Sequence, residues 1–135
     1  MKITTAMANS IATTIINDYL AAKTEAEIYL DLYTGTPPAL GDPNLGTKLT
    51  HILGEGWNAS ALNGKLIFGP FDQTALGLAN GTAGYGVISD EDGIDLIQLT
   101  VGTGGSGADL ILDDLDIIAA APVIVSSLEI SFGDA

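Results

Sequence analysis

Apolar residues recur at helical spacing near the start of this chain and at every second position after residue 26, and this change of period separates a helix from a β region. Met7, Ile11, Ile15 and Tyr19 form one row four residues apart, and Ala8, Ala12, Ile16 and Leu20 form the neighbouring row. Together they predict a helix over 4–21 with one apolar stripe. Thr4 or Thr5 suits its N-cap, and Lys23 suits the end of the dipole. Thr13, Thr14, Ile15 and Ile16 are β-branched and lower helix propensity, so docking on a sheet or a neighbouring subunit must hold the helix.

From Glu27 the alternation reads as a half-buried strand, with Ile28, Leu30 and Leu32 inward and Tyr29, Asp31 and Tyr33 outward. The glycines and prolines of 34–46 predict an exposed loop. Further strands are expected over 48–53, 64–68, 76–79, 83–89, 94–101, 108–112 and 123–132. Asp90, Glu91, Asp92 and Gly93 mark the acidic tip of a hairpin, and Leu128, Ile130 and Phe132 give the last strand its inward face. Many short strands after one helix predict a mainly β fold, an antiparallel β-sandwich or barrel-like domain with one N-terminal α-helix. The chain reads as a single domain, 1–135, with the helix at 4–21 and the β domain at 26–133.

Charge changes the picture of partners. Seventeen carboxylates against four lysines and no arginine give a net charge of -13, which opposes binding to nucleic acid, since phosphate recognition needs a basic footprint. The absence of cysteine removes disulfides and thiolate chemistry and leaves His51 as the sole soft nitrogen ligand. The longest apolar run, 117–125, contains Pro122 and is far shorter than the roughly 20 residues a membrane-crossing helix needs. Residues 1–10 lack a signal-peptide pattern, so synthesis in the cytoplasm is the expectation.

Candidate chemistry is sparse. Asp90, Glu91 and Asp92, and separately Asp113, Asp114 and Asp116, supply hard oxygen ligands suited to a divalent cation such as calcium, although neither set has EF-hand spacing and both also read as solvated acidic turns. The glycine-rich run 102–107 lacks the Gly-Lys-Ser/Thr close of a phosphate loop and reads as a flexible connection. No serine lies in a Gly-x-Ser-x-Gly elbow, and His51 reads as a hydrogen-bonding strand residue. The expectation is a non-enzymatic protein without a cofactor. Ile11, Ile15 and Tyr19 on the helix and Tyr29 and Tyr33 beside the proline-rich loop are the interface candidates, in a homo-oligomer of trimer or ring form. A rival reading is a secreted, calcium-dependent carbohydrate-binding or adhesive β module.

The order of these features resembles the small β-rich structural proteins, head-decoration or tail-accessory, of tailed bacteriophage virions. The resemblance is carried by KITTAMANS at 2–10, AEIYLDLYTGTPP at 26–38, GYGVISDEDG at 84–93, TVGTGGSGADL at 100–110 and VSSLEI at 125–130. The segment 53–72, with Trp57, has no counterpart in it. The resemblance implies a virion component without catalytic residues, with the major capsid protein or other virion proteins as partners. Small size and the lack of a coiled-coil segment favour capsid decoration over a tail, neck or tube position.

Overall fold

Leucine and isoleucine at alternate positions of short strands draw two sheets together face to face. The computed structural model describes residues 3–15, 29–53, 59–68, 75–90 and 92–131. The expected Tyr19, Ile28, Glu91 and Phe132 lie outside the described residues, as does the helix beyond Ile15. One sheet runs in the order β2 (Ile52–Leu53), β1 (Tyr29–Tyr33), β6 (Tyr85–Ser89), β7 (Asp95–Leu99). The other runs β3 (Ala59–Leu62), β4 (Lys65–Phe68), β11 (Val125–Ser131), β9 (Leu110–Leu112), β8 (Val101–Gly102). A short ribbon joins β5 (Gly81–Thr82) to β10 (Asp116–Ile117). Among the described residues the strand pairings are antiparallel except that of β8 with β9. Leu30, Leu32, Leu49, Ile88 and Leu99 meet Leu66, Phe68, Leu110, Leu112 and Leu128 in one core. The protein is a mainly β, sandwich-like domain with one N-terminal helix, and its sheets do not close into a barrel.

The helix α1 (Thr5–Thr14) begins where expected, with the Thr4 hydroxyl accepting from the backbone N–H of Met7 at 3.2 Å. Its inward row is the smaller one. Ala8 and Ala12 are buried, whereas Met7 is 55% and Ile11 38% exposed, so the two rows of the apolar stripe part, the alanines facing the sheet. The reason is close approach. A Cβ on Gly64 would lie 3.3 Å from the Ala8 Cβ, and the Gly64 N–H donates to Asn9 Oδ1, so only alanine fits between helix and hairpin. That hairpin joins β3 to β4 through Asn63 (φ 53°) and Gly64 (φ 77°), a two-residue turn with both centres left-handed. The strand expected at 64–68 is thus the second arm of a hairpin whose first arm is β3.

Several other expectations change. Segment 76–79 forms no strand, only isolated bridges from Leu76 to Pro122 and from Gly77 to Ala119. The glycine-rich run is not a loose connection. Thr100 and Asp109 lock its base, Asp109 Oδ2 accepting from both the N–H and the hydroxyl of Thr100 at 3.0 Å while that hydroxyl accepts from the Asp109 N–H at 2.9 Å. The strand β1 is not half-buried either, because Asp31 and Tyr33 on its second face are buried along with Leu30 and Leu32. Residues 34–46 fold back over that face, held where Gln98 Nε2 donates to the Pro38 carbonyl at 2.9 Å.

Two bulges decide what the covered face presents. Tyr29 pairs with Leu53 and Leu30 with Ile52, but Tyr33 pairs with Lys48, a register one residue shorter. Residue 50 is therefore extra, and it turns Lys48 and His51, three apart, toward the same side of β1. Thr50, fully buried, fills the gap in the ladder: its hydroxyl accepts from the Leu32 N–H at 3.0 Å and reaches the Leu30 carbonyl at 3.4 Å. In the β6–β7 pair, Ile88 faces Ile97 while Ser89 faces Asp95, so Leu96 is skipped and Asp95 takes its place beside Ser89. Thr50→Val keeps the shape and removes the hydroxyl from a buried N–H, and it is expected to lower stability by about 1–3 kcal/mol. The shift of the urea midpoint at unchanged slope measures it, and a midpoint equal to that of the parent protein would contradict this role for Thr50.

Candidate functional site

The two bulges and the folded-back loop enclose an open cleft of about 530 Å³ on the outer face of the first sheet. Tyr29, Asp31, Tyr33 and Ser89 form its floor, Lys48 and His51 one side, Asp42 and Asn44 of the loop another, and Asp90 and Asp95 the hairpin side. Asp31 is the centre of its electrostatics. The carboxylate is 4% exposed and engages His51 Nδ1 through one oxygen at 2.7 Å and Lys48 Nζ through the other at 3.4 Å. The His51 ring stacks on Tyr29, with centroids 4.1 Å apart and planes 12° from parallel. With Nδ1 engaged by Asp31, Nε2 remains the ring's other hydrogen-bonding atom.

Next to this pair, Tyr33 stacks on Tyr85 at 5.3 Å, and Lys48 Nζ lies 5.9 Å from the Tyr33 ring centroid. The Tyr85 hydroxyl donates to Asn44 Oδ1 at 2.9 Å, and Asn44 Nδ2 donates to Asp95 Oδ2 at 2.9 Å, tying loop, sheet and hairpin into one chain. Burial above all, then the Asp31 charge, raises the Tyr33 hydroxyl above its ordinary pKa. Tyr85 is raised by burial, then by Tyr33 and Asp95. Burial pushes Lys48 down, but Asp31 and Tyr33 together outweigh it and hold the ammonium above its ordinary value.

The residues expected to be functional are scattered over the molecule. Tyr29 lies in the cleft, while Tyr33, 8% exposed, is covered by its own loop and offers little surface to a partner. Ile11 is exposed on α1, and Ile15 packs partly against the core. Asp90 is buried, and its Oδ1 accepts from the N–H groups of Asp92 and Ile94, both at 3.0 Å, closing the hairpin tip over Gly93. Asp114 Oδ1 accepts from the Asp116 N–H at 2.9 Å, and Asp116 Oδ1 accepts from the Thr82 hydroxyl at 2.8 Å; Asp113 is exposed. Among the described residues no three or more histidine or acidic side chains converge as metal ligands.

A second feature lies where 75–77 is woven with 118–123. Ile118, Pro122 and Ile124 share a shallow depression with Asp113, Asp114 and Asp116, and Leu76 pairs with Pro122 beside it. Ile118 is 60% exposed. The apolar run 117–125 is visible in the sequence, and its division into buried Ile117, Val123 and Val125 and exposed Ile118 and Ile124 is not. Comparison of the chain with protein-family models, curated proteins and solved structures found no match.

The raised groups have a common sign. Each of Tyr33, Tyr85 and Lys48 has a folded pKa above its unfolded value, so its contribution to stability is complete below the unfolded pKa and is lost as pH rises through the folded one. The expected outcome is a loss of stability beginning above pH 10.0, the ordinary tyrosine value. Tyrosinate absorbance in the folded protein should show Tyr33 and Tyr85 ionising later than in the denatured chain, and coincident titrations would contradict the burial argument.

Proposed function

We infer that this chain is a non-enzymatic structural protein of a tailed-bacteriophage virion, mounted on the outside of the capsid as a decoration subunit. The observation that carries the geometric part of this reading is the apolar end formed by Leu76, Ile118, Pro122 and Ile124. A small monomeric sandwich gains nothing from holding such side chains in water, and flanking carboxylates give the patch a definite preference. Its partner is a virion protein, the major capsid protein in the first instance, that presents an apolar surface rimmed by lysine or arginine. A second copy of this chain is a poor occupant of the patch, since four lysines against seventeen carboxylates cannot supply the basic rim. The resemblance in the order of sequence features supports the virion setting, with synthesis in the host cytoplasm before assembly. An acidic outer surface suits that position, because it resists clumping and is repelled by packaged nucleic acid.

Self-association into a trimer or ring belongs to the same reading and uses a different surface, the exposed Met7 and Ile11 of α1. At a net charge of -13 per subunit, repulsion is least screened at low ionic strength, so the oligomer should weaken as salt is removed. Mass measured in solution across salt concentrations checks this, and a monomer at every concentration would remove the self-association claim. For the position itself, electron cryo-microscopy of intact particles should find the subunit on the shell, and density confined to the tail or neck would overturn decoration. Ile118→Asp, at an exposed site, should leave the unfolding free energy within the scatter of surface substitutions, about 0.5 kcal/mol, while abolishing incorporation into particles.

A further inference from the structure

We propose that the cleft above Asp31 is a saccharide-binding site. This goes beyond the virion role and stands independently of it. The starting observation is Ser89. It is 4% exposed, lines the cleft floor, and its hydroxyl has no hydrogen-bond partner among the described residues. A buried hydroxyl left unpaired costs folding stability, and the sheet would accept alanine at this position. The strand register sets Ser89 opposite Tyr29 and Asp95, so it shares their face of the sheet.

The chemistry around Ser89 selects the ligand. Asp42, Asp90 and Asp95 offer acceptor oxygens and His51 Nε2, in the tautomer whose Nδ1–H faces Asp31, a further acceptor, whereas the Lys48 ammonium and the Ser89 hydroxyl offer donors, and both kinds line one open space. An inorganic anion would meet the carboxylates, and a polyamine would meet the Lys48 ammonium while leaving the donors without acceptors. A ligand bearing several hydroxyls satisfies both, since each hydroxyl donates and accepts. The stacked Tyr29 and His51 rings supply the apolar wall on which the C–H face of a pyranose packs. A volume of about 530 Å³ falls within the range of small-ligand sites, which span roughly 300–1,000 Å³. The donors and acceptors are also held in place beforehand, Lys48 and His51 by Asp31, Asp95 by Asn44, and Asp90 by its own turn, so little ordering is required on binding.

The test uses the full chain, isotope-labelled, titrated to millimolar concentrations with glucose, galactose, N-acetylglucosamine, rhamnose, cellobiose and lactose, and in a separate arm with spermidine. The expected result is saturable amide shifts with at least one sugar, centred on Tyr29, His51, Ser89 and Asp95. Ser89→Ala should weaken that sugar at least about tenfold while leaving thermal stability equal to or above that of the parent, because it removes an unpaired buried hydroxyl. A purely structural Ser89 would give the reverse, lost stability and unchanged affinity. No shift with any sugar in the panel overturns the proposal, and so does saturable binding of spermidine alone, which would make the cleft a cation site. Absence from the capsid would not bear on this result, nor would a failed titration bear on the virion reading.

Discussion

Asp31 stands on a central strand with strands on both sides and a loop above it, and a carboxylate so placed must be met by cations and hydrogen-bond donors or be expelled. The chain has four lysines and one histidine, and it commits Lys48 and that histidine to this one group. Everything local follows. Residues 48 and 51 can face the same side of a strand only if a residue between them is skipped, and a skipped residue leaves backbone groups of β1 without ladder partners. Thr50 answers this with a side chain that imitates a peptide group, accepting and donating to the strand it no longer pairs with. The fold over residues 34–46 then completes the enclosure through Asn44 and Gln98.

The remaining acids show how a chain this poor in cations can still be well ordered. Asp90, Asp109 and Asp114 each accept backbone N–H groups from residues near them in sequence or across a short loop. Asp95 accepts from an amide and Asp116 from a hydroxyl. Charge-assisted bonds of this kind are stronger than neutral ones and need no basic residue. Aspartate therefore serves here as turn chemistry: Asp90 closes the hairpin that Gly93 bends, and Asp109 fastens the loop whose Gly105 and Gly107 take positive φ. The acidic composition and the density of short turns are two views of one choice.

The same logic separates what was legible in the sequence from what was not. The Leu30/Leu32 alternation, the acidic hairpin tip and the Thr4 cap depend on neighbours within a few residues, and their periods and turn residues announce them. Asn63-Gly64 was equally local and could have been read as a hairpin, which would have supplied β3. The bulges at residues 50 and 96 leave no mark on composition, since each is defined only by the register of a strand many residues away. Periodicity also does not decide the helix. The two apolar rows look equivalent as spacing, but the tight approach to Gly64 selects the Ala8/Ala12 row and leaves Met7 and Ile11 outside. The cleft, assembled from the two bulges and a loop predicted to be exposed, was invisible for all these reasons at once.

Stability accounts for most of what lines the two candidate surfaces. Asp31, Lys48, His51, Tyr33, Tyr85, Asn44 and Asp95 are each engaged with one another in ways that hold the loop to the sheet. The same reasoning fails at Ser89, whose hydroxyl is buried without a partner among the described residues, and at Ile118 and Leu76, whose side chains stand in water beside a well-filled core. Consistency between local choice and global fold is the rule for a folded sequence, and departures from it concentrate where a surface answers to something outside the chain. These two are of opposite character, a polar floor beneath stacked rings and an apolar depression flanked by carboxylates, while Met7, Leu45 and Leu78 stand in water elsewhere. No single ligand could suit both, since the first offers polar donors and acceptors and the second an apolar face rimmed by carboxylates.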